Sequence, residues 1–234
     1  MKPERSDILK QLLISGCDFH VNTLYWDRLR LEPFENDLRN YPAPWIKKTT
    51  EFLKIVDAKT MVEIGSTRAE TTQACINYYN NCDSMTPAEA PDCCQDGHST
   101  HFWVMEGLET HTVDIDDRCR EMLESQYQHH IKTPIPDNLH IHIEDGIGFL
   151  EKFDKPIDFL FLDGWDVGSD QYAERHLEAF QAAEDKLSEY HIISIDDTDF
   201  NTPEGGKDKL LTPYLIDLGY IKLLHGRQTV FFKL

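Results

Sequence analysis

The sequence has few basic residues and no long apolar run. Lys and Arg together number 23 against 42 Asp and Glu, which gives a net charge of −19 over 234 residues. A protein that binds the phosphate backbone of nucleic acid, or docks on anionic lipid, needs a basic surface, so we expect neither partner. No apolar run is long enough to cross a bilayer, and we therefore expect no membrane-spanning segment.

We also expect no leader segment and no dense cysteine framework. Residues 1–7 lack the apolar stretch of a signal peptide. The six cysteines are scattered over several predicted elements, which favours a reducing compartment and mostly free thiols, and so a cytoplasmic protein. One group has the residue types that bind zinc: Cys82, Cys93, Cys94, His98 and His101. Their irregular spacing favours a loop with free thiols over a structural zinc site.

The stretch 60–72 organises the rest of the chain. Met61 to Ile64 is a short apolar run, typical of a strand buried on both faces, and Gly65 ends it. Ser66 and Thr67 follow with side-chain oxygens that can cap a helix. A strand, a glycine turn and a helix start form a binding site for a nucleotide-like ligand, because backbone N–H groups point outward there.

Downstream of this turn, predicted strands and helices alternate. Strands are expected at 110–115, 139–143, 157–162 and 191–195, a long helix at 171–188, and a closing hairpin at 220–224 and 229–233. This order predicts an α/β fold, a Rossmann-like, doubly wound and mostly parallel sheet with one antiparallel strand at the edge.

We expect two parts in the chain. Residues 45–234 would form the α/β domain, with an inserted loop at about 80–98, where proline and small polar residues accumulate. Residues 1–44 would form a helical extension, beginning with a helix at 7–14, that wraps the core. The alternative for this extension is a lid over a substrate pocket, because connecting segments often carry specificity.

Acidic residues follow four of the predicted strands: Asp114, Asp145, Asp163, and the pair Asp196 and Asp197. The carboxyl ends of parallel strands open onto one crevice, so we expect these side chains to lie near one another. Asp114 suits the two hydroxyls of a ribose. Asp145 could accept a hydrogen bond from an adenine amino group, or it could cap the next helix.

Asp163, Asp196 and Asp197 come from two strands that we expect to be neighbours. Three converging carboxylates repel one another unless they are protonated or neutralised. A hard divalent cation with oxygen ligands, such as Mg²⁺, would relieve this repulsion and would lower the pKa of a substrate hydroxyl. The alternative is that one carboxylate caps a helix and another is solvated.

These motifs resemble those of class I S-adenosylmethionine-dependent methyltransferases over about residues 45–234. Val62-Glu63-Ile64-Gly65 is similar to the first motif of that family, and Asp114 matches the acid that holds the ribose. Residues 157–163 and 195–198 are similar to motifs of cation-dependent O-methyltransferases of the catechol, caffeoyl-CoA and antibiotic-sugar types. In those enzymes the positions of Asp163, Asp196 and Asp197 ligate Mg²⁺. The resemblance implies that the cofactor contacts these residues: Glu63, Gly65, Ser66, Thr67, Asp114, Asp145 and Asp163.

The chain departs from that pattern at two positions. Ala69 stands where a second glycine is expected, and Asp166 stands where the catechol type has a catalytic lysine. Trp165 does match an aromatic residue of that type. We therefore place Asp163, Trp165 and Asp166 at the catalytic centre, with Asp166 as general base or as a fourth carboxylate around the ion. Other candidate bases lie in neighbouring loops: His98, His101 and Lys207.

The resemblance implies a Mg²⁺-assisted O-methyltransferase that transfers a methyl group from S-adenosylmethionine to a small hydroxylated molecule. The acceptor would be a natural product, a sugar or a diol, either free or carrier-bound, and the sequence leaves open whether the enzyme acts as a homodimer. One alternative is an NAD-binding Rossmann oxidoreductase, which would require the pattern G-x-G-x-x-G after the first strand. Another is a degenerate domain that binds a cofactor or a partner protein without catalysis.

Overall fold

A seven-stranded sheet forms the centre of the molecule. The computed structural model describes residues 4–28, 42–66, 72–81, 99–199 and 205–233, with the side chains of residues 20–28 and 78 excepted. Within these ranges no helix is long and apolar enough to cross a membrane. The strands are β1 Thr60–Ile64, β2 Glu109–Asp114, β3 Leu139–Ile143, β4 Ile157–Leu162, β5 Leu187–Ile195, β6 Tyr220–Leu224 and β7 Thr229–Lys233.

The strand order is β3-β2-β1-β4-β5-β7-β6, with β1 to β5 parallel. Strand β7 runs antiparallel to both β5 and β6. This is the topology of the class I methyltransferase fold, and it confirms the expected fold class. The expectation that the reversed strand lies at the edge is wrong, because β7 is enclosed between β5 and β6 and the edge strand is β6.

Eight α-helices flank the sheet in the described part of the chain. They are α1 Arg5–Arg28, α2 Pro42–Val56, α3 Gln73–Asn81, α4 Ser99–Met105, α5 Arg118–Ser125, α6 Gly146–Lys152, α7 Tyr172–Ala183 and α8 Leu211–Asp217. A π-helix, Gln126–Ile131, continues α5. Helix α7 ends earlier than predicted, because a short 3₁₀ turn follows it and β5 already begins at Leu187.

The alternation of side chains along β4 explains why the sheet is covered on both faces. Phe159 and Phe161 pack in one core cluster with residues of α1 to α4. Leu160 and Leu162 pack in a second cluster with residues of α6, α7 and α8. A strand that is apolar at both parities needs a layer of helices on each face, and this three-layer arrangement follows from it.

The first helix is part of this packing. Ile8 and Leu12 of α1 are buried in the first cluster, and the guanidinium group of Arg5 donates to the carbonyl oxygen of Lys233 at 3.1 Å. The predicted helix at 7–14 is therefore correct but too short. The described part of α1 packs on the core, whereas residues 29–41 lie outside the described ranges, so the role of the whole extension stays a prediction.

Most of the described cysteines are outside disulfide bonds. Cys17 and Cys119 are not disulfide-bonded, whereas Cys75 is. The expectation of free thiols is thus correct for two of these three residues. Most of the proposed zinc ligands, Cys82, Cys93, Cys94 and His98, lie outside the described residues.

Candidate active site

The glycine turn after β1 lies directly against the end of β4. Gly65 has a φ of +91°, and a Cβ atom there would stand 2.6 Å from the carbonyl carbon of Asp163. Both the left-handed backbone and the close approach require glycine. The turn that the sequence assigns to a cofactor and the first predicted metal ligand are therefore neighbours.

Backbone hydrogen bonds continue beyond the strands and align their carboxyl ends. The amide of Gly65 donates to the carbonyl oxygen of Val113 at 2.9 Å, and the amide of Asp163 donates to that of Ile64 at 2.8 Å. The amide of Asp196 donates to the carbonyl oxygen of Leu162 at 3.1 Å. The acidic residues that follow β2, β4 and β5 therefore lie at the same edge of the sheet, as predicted.

Asp114 and Ser66 form the part of the site that suits a nucleoside. The amide of Ser66 donates to Asp114 Oδ2 at 2.9 Å, and the amide of Asp116 donates to Asp114 Oδ1 at 2.9 Å. Each carboxylate oxygen keeps a second lone pair for a ligand hydroxyl. The hydroxyl oxygen of Ser66 is buried without a hydrogen-bond partner among the described residues. A buried polar atom of this kind fits a site that receives a polar ligand.

Glu63 is placed differently from its expected role at the cofactor. It is fully buried and accepts hydrogen bonds from Ser99, Thr100 and Thr112 hydroxyls at 2.6, 2.5 and 2.7 Å. The indole of Trp103 donates to it as well, at 3.2 Å. Burial raises the pKa of Glu63, and these four donors oppose the shift. In this arrangement Glu63 ties β1 to α4 and β2.

Asp145 caps α6, which was one of its two expected roles. Its Oδ2 accepts a hydrogen bond from the amide of Gly148 at 2.8 Å. The residue is exposed beside the crevice. A contact with an adenine amino group stays a prediction. Thr67 lies outside the described residues.

Asp163, Asp196 and Asp197 converge as the sequence predicted. One carboxylate oxygen from each lies within 4.8 Å of the others. Their neutralisation was not foreseen, because two basic side chains reach into the cluster. Lys207 Nζ lies 2.6 Å from Asp163 Oδ1 and 3.0 Å from Asp197 Oδ2. Arg227 Nη2 lies 2.8 Å from Asp197 Oδ1 and 3.2 Å from Asp196 Oδ2.

The two cations are held firmly in their charged forms. Burial alone would lower the pKa of Lys207, but Asp163, Asp197 and Asp196 outweigh it and raise that pKa. Burial alone would likewise lower the pKa of Arg227, but Asp196 and Asp197 outweigh this effect and raise that pKa. Lys207 is therefore an ammonium ion at neutral pH, and it does not act as the general base.

Opposing effects act on the pKa of Asp163. Burial raises the pKa of this carboxyl group, the Lys207 ammonium lowers it, and Asp196 and Asp197 raise it further. A carboxylate whose pKa lies above its usual range is a better proton acceptor than an ordinary one.

A loop and a hairpin bring in the two cations. Lys207 is only 1% exposed. Its loop lies against the end of β5, where the amide of Lys207 donates to the carbonyl oxygen of Asp197 at 3.2 Å. Tyr172 at the start of α7 donates its hydroxyl to the carbonyl oxygen of Gly205 at 2.9 Å. Arg227 comes from the turn between β6 and β7. Sequence reasoning listed Lys207 only as a candidate base and missed Arg227, since no local pattern marks either residue.

The remaining predicted catalytic residues flank the cluster. Trp165 has a φ of +43° and packs edge-on against the buried ring of His176, with 5.4 Å between ring centroids. Asp166 is exposed and is not part of the carboxylate cluster of Asp163, Asp196 and Asp197. His101 is buried on α4 with its Nδ1 atom 3.1 Å from the hydroxyl of Tyr127.

Comparisons with known proteins found distant similarities to solved structures. No family model matches the sequence, and no curated protein matches it either. An O-methyltransferase from Bacillus cereus in complex with S-adenosylhomocysteine shares 13% identity at a TM-score of 0.47, over 100% of this chain and 93% of that one.

Two further solved structures are similar at the same level. The O-methyltransferase TomG from Streptomyces achromogenes, involved in tomaymycin synthesis, shares 13% identity at a TM-score of 0.46, over 91% of this chain and 94% of that one. An rRNA methylase from Streptococcus thermophilus shares 13% identity at a TM-score of 0.46, over 79% of this chain and 92% of that one. At this similarity the activity has to be argued from the chain's own residues.

Proposed function

We propose that the chain is an S-adenosylmethionine-dependent O-methyltransferase that acts on a hydroxyl group of a small molecule. The observation that carries this proposal is the contact between the Gly65 turn and Asp163, because it sets a cofactor site beside a carboxylate cluster. Asp114 would accept hydrogen bonds from the ribose, and Ser66 would provide its buried hydroxyl to the ligand. Direct contacts of Gly65, Thr67 and Asp145 with the cofactor belong to the same proposal.

The reaction moves one methyl group and one proton. The bond between the methyl carbon and the sulfonium sulfur breaks as a bond to the acceptor oxygen forms, and S-adenosylhomocysteine leaves. Without a metal, the hydroxyl proton would pass to Asp163, whose pKa burial raises; with Mg²⁺ held by that carboxylate, the proton would pass to solvent water. Lys207 and Arg227 offset the negative charge of the cluster, and fixed charges of this kind stabilise the transition state without reorganisation. Most of the remaining acceleration would come from holding donor and acceptor in line.

Magnesium fits the cluster in ligand type and in spacing. Asp163, Asp196 and Asp197 would hold the ion through carboxylate oxygens. When bound, Mg²⁺ would supply a Lewis acid that lowers the pKa of the acceptor hydroxyl. The ion would have to compete with Lys207 and Arg227, which contact one oxygen of Asp163 and both oxygens of Asp196 and Asp197.

These internal cations favour a second version of the same function. With two cations paired to three carboxylates, the cluster carries a formal charge of −1 and no longer needs a metal to relieve repulsion. In this version the chain transfers the methyl group without a metal, and Lys207 takes the part of the ion by offsetting the charge of the carboxylates. The Mg²⁺-assisted and metal-independent versions differ in whether EDTA abolishes methyl transfer.

A small acceptor is favoured over nucleic acid because the net charge is −19. A surface with so few basic residues lacks the cations that neutralise phosphates. A neutral or cationic molecule, free or attached to a carrier, would not meet this repulsion. An rRNA substrate would instead require a local basic patch.

Calorimetry and a methyl-transfer assay test the proposal together. S-adenosylmethionine and S-adenosylhomocysteine should bind and NAD should not, whereas the opposite result would favour an oxidoreductase. Methyl transfer to a panel of diols and sugars is then measured with EDTA or with added Mg²⁺. Activity that EDTA abolishes supports the metal-assisted version, and activity that survives EDTA supports Lys207 in its place. Cofactor binding without transfer to any acceptor would indicate a degenerate domain.

A further inference from the structure

A second group of metal-binding side chains lies far from the crevice. Glu109 is the first residue of β2 and His140 the second of β3, whereas the proposed active site is at the carboxyl ends of the strands. His111 on β2 is in register with His140. Glu109, His111 and His140 each place one ligand atom within 4.8 Å of the other two. This group has no part in the proposed methyl transfer.

One nitrogen in this group is buried and unsatisfied. His111 is only 5% exposed, and among the described residues its Nε2 atom has no hydrogen-bond partner. Its other ring nitrogen, Nδ1, lies 3.1 Å from His142 Nε2. If Nδ1 carries the proton and donates it to His142, Nε2 carries a lone pair 3.5 Å from Glu109 Oε1. A buried lone pair facing a carboxylate is unfavourable unless a cation lies between them.

The distances suit a tetrahedral ion. His111 Nε2 and His140 Nε2 each lie 3.5 Å from Glu109 Oε1. Two ligands bound at about 2.0–2.1 Å in a tetrahedral zinc site are separated by about 3.4 Å. Two imidazoles and one carboxylate are ligands typical of Zn²⁺, and they differ from the all-oxygen sets of Mg²⁺ and Ca²⁺.

The site is also accessible and ready to bind. The side chains of His140 and Glu109 are 38% and 36% exposed, so an ion can enter and a water molecule can be the fourth ligand. The contact of His111 with His142 would fix the orientation of the ring, as outer hydrogen bonds do at known metal sites.

We propose that Glu109, His111 and His140 form a binding site for Zn²⁺ at the amino-terminal end of β2 and β3. The ion would pin the edge strand β3 to β2 and would satisfy the buried nitrogen of His111. Lys155, whose ammonium lies 2.6 Å from Glu109 Oε1, holds the carboxylate when no ion is bound. Its side chain is 47% exposed and can turn into solvent when the ion enters.

The test is zinc binding by the full chain after dialysis against EDTA, followed by calorimetry with ZnCl₂ and measurement of bound metal. His140→Ala should lose one equivalent of zinc or bind it at least about 100-fold more weakly. His129→Ala, an exposed histidine outside the group, should bind zinc as the wild type does. Lys155→Met should bind more tightly, because it removes the competing ammonium.

Further measurements separate this site from other zinc-binding groups in the chain. Asp163→Asn should keep the same zinc, whereas Glu109→Gln should lose it. Cobalt provides a direct probe of geometry, because tetrahedral Co²⁺ absorbs visible light strongly; this absorption should appear in the wild type and be lost in His140→Ala. Circular dichroism checks that each variant is folded, and His140→Gln replaces the alanine variant if that one is not. Equal zinc binding by wild type and His140 variants, or none by either, would overturn the proposal.

Discussion

At the scale of single residues, Gly65 offers the sharpest test of the site's geometry. Gly65→Ala places a methyl group 2.6 Å from the Asp163 carbonyl carbon and keeps a backbone φ of +91°. Gly107 is a matched control, because its φ is +82° and nothing lies within 4 Å of an added Cβ atom. We expect Gly107→Ala to cost about 1 kcal/mol in unfolding free energy, from backbone strain alone. Gly65→Ala should cost at least about 2 kcal/mol more.

Urea denaturation measures both changes, and calorimetry with S-adenosylhomocysteine follows the site itself. Only Gly65→Ala should abolish cofactor binding, since only that turn contacts Asp163. If the two variants lose the same stability, the close approach between Gly65 and Asp163 does not exist in solution, and the proposed neighbourhood of cofactor and carboxylates loses its basis.

Lys207 is the second residue whose substitution should lower the unfolding free energy strongly. Lys207→Met keeps the length of the side chain but leaves Asp163 and Asp197 without their ammonium. Breaking a buried ion pair by removing one partner is destabilising, and we expect a loss of about 3 kcal/mol in urea denaturation. Lys209→Met, in the same loop but exposed, should change stability by less than about 0.5 kcal/mol. Equal stabilities of the two variants would show that Lys207 is not paired as described.

At the scale of elements, the docking of α1 is the feature most open to experiment. Leu12 is fully buried against the core and its neighbour Leu13 is 38% exposed. Leu12→Ala should cost about 3 kcal/mol, because a cavity remains where the side chain packed. Leu13→Ala should cost less than about 1 kcal/mol. Chemical denaturation of the two variants decides whether α1 is an integral part of the domain; similar small losses would mean that the helix is only loosely attached.

Much of the element order could be predicted from the sequence, and the errors have physical causes. Strands β3 and β4 and both arms of the hairpin lie where the pattern of apolar residues placed them. The start of β5 was missed because residues 187–190 are partly exposed and polar, and such a segment is similar to the end of an amphipathic helix. The position of β7 was missed because a hairpin pattern does not say which arm joins the sheet. The nearly continuous burial of β7, compared with β6, is the signal that distinguishes them.

The site was predictable to the extent that strand ends determine it. Asp163, Asp196 and Asp197 follow parallel strands, so topology alone brings them together. Lys207 and Arg227 arrive from a loop and a turn that are remote in sequence, and their pairing depends on tertiary packing. The proposed zinc group was missed for a related reason, because its members lie on two strands and only the parallel register brings Glu109 and His111 beside His140.

At the scale of the whole molecule, buried histidines should make the protein sensitive to acid. Burial lowers the pKa of three of them, His111, His176 and His191, and also that of the partly buried His142. Each of these rings stays neutral in the folded protein at a pH where the unfolded chain already binds a proton. Unfolding therefore takes up protons below the ordinary histidine pKa of 6.5, and stability falls as the pH is lowered.

His176 allows this effect to be measured for one residue. Its ring is fully buried, and burial lowers its pKa from 6.5 to about 4 although the carbonyl oxygen of Tyr172 opposes the shift. Between pH 7 and pH 5 this single group should cost the wild type about 2 kcal/mol of unfolding free energy. His176→Asn can still donate to the Tyr172 carbonyl but does not titrate, so its stability should depend less on pH by that amount. His129→Asn, at an exposed position, should follow the wild-type profile. If the stability of wild type and of His176→Asn depended on pH in the same way, water would reach His176. The packing of α7 against Trp165 would then be looser than the contact between the Trp165 and His176 rings implies.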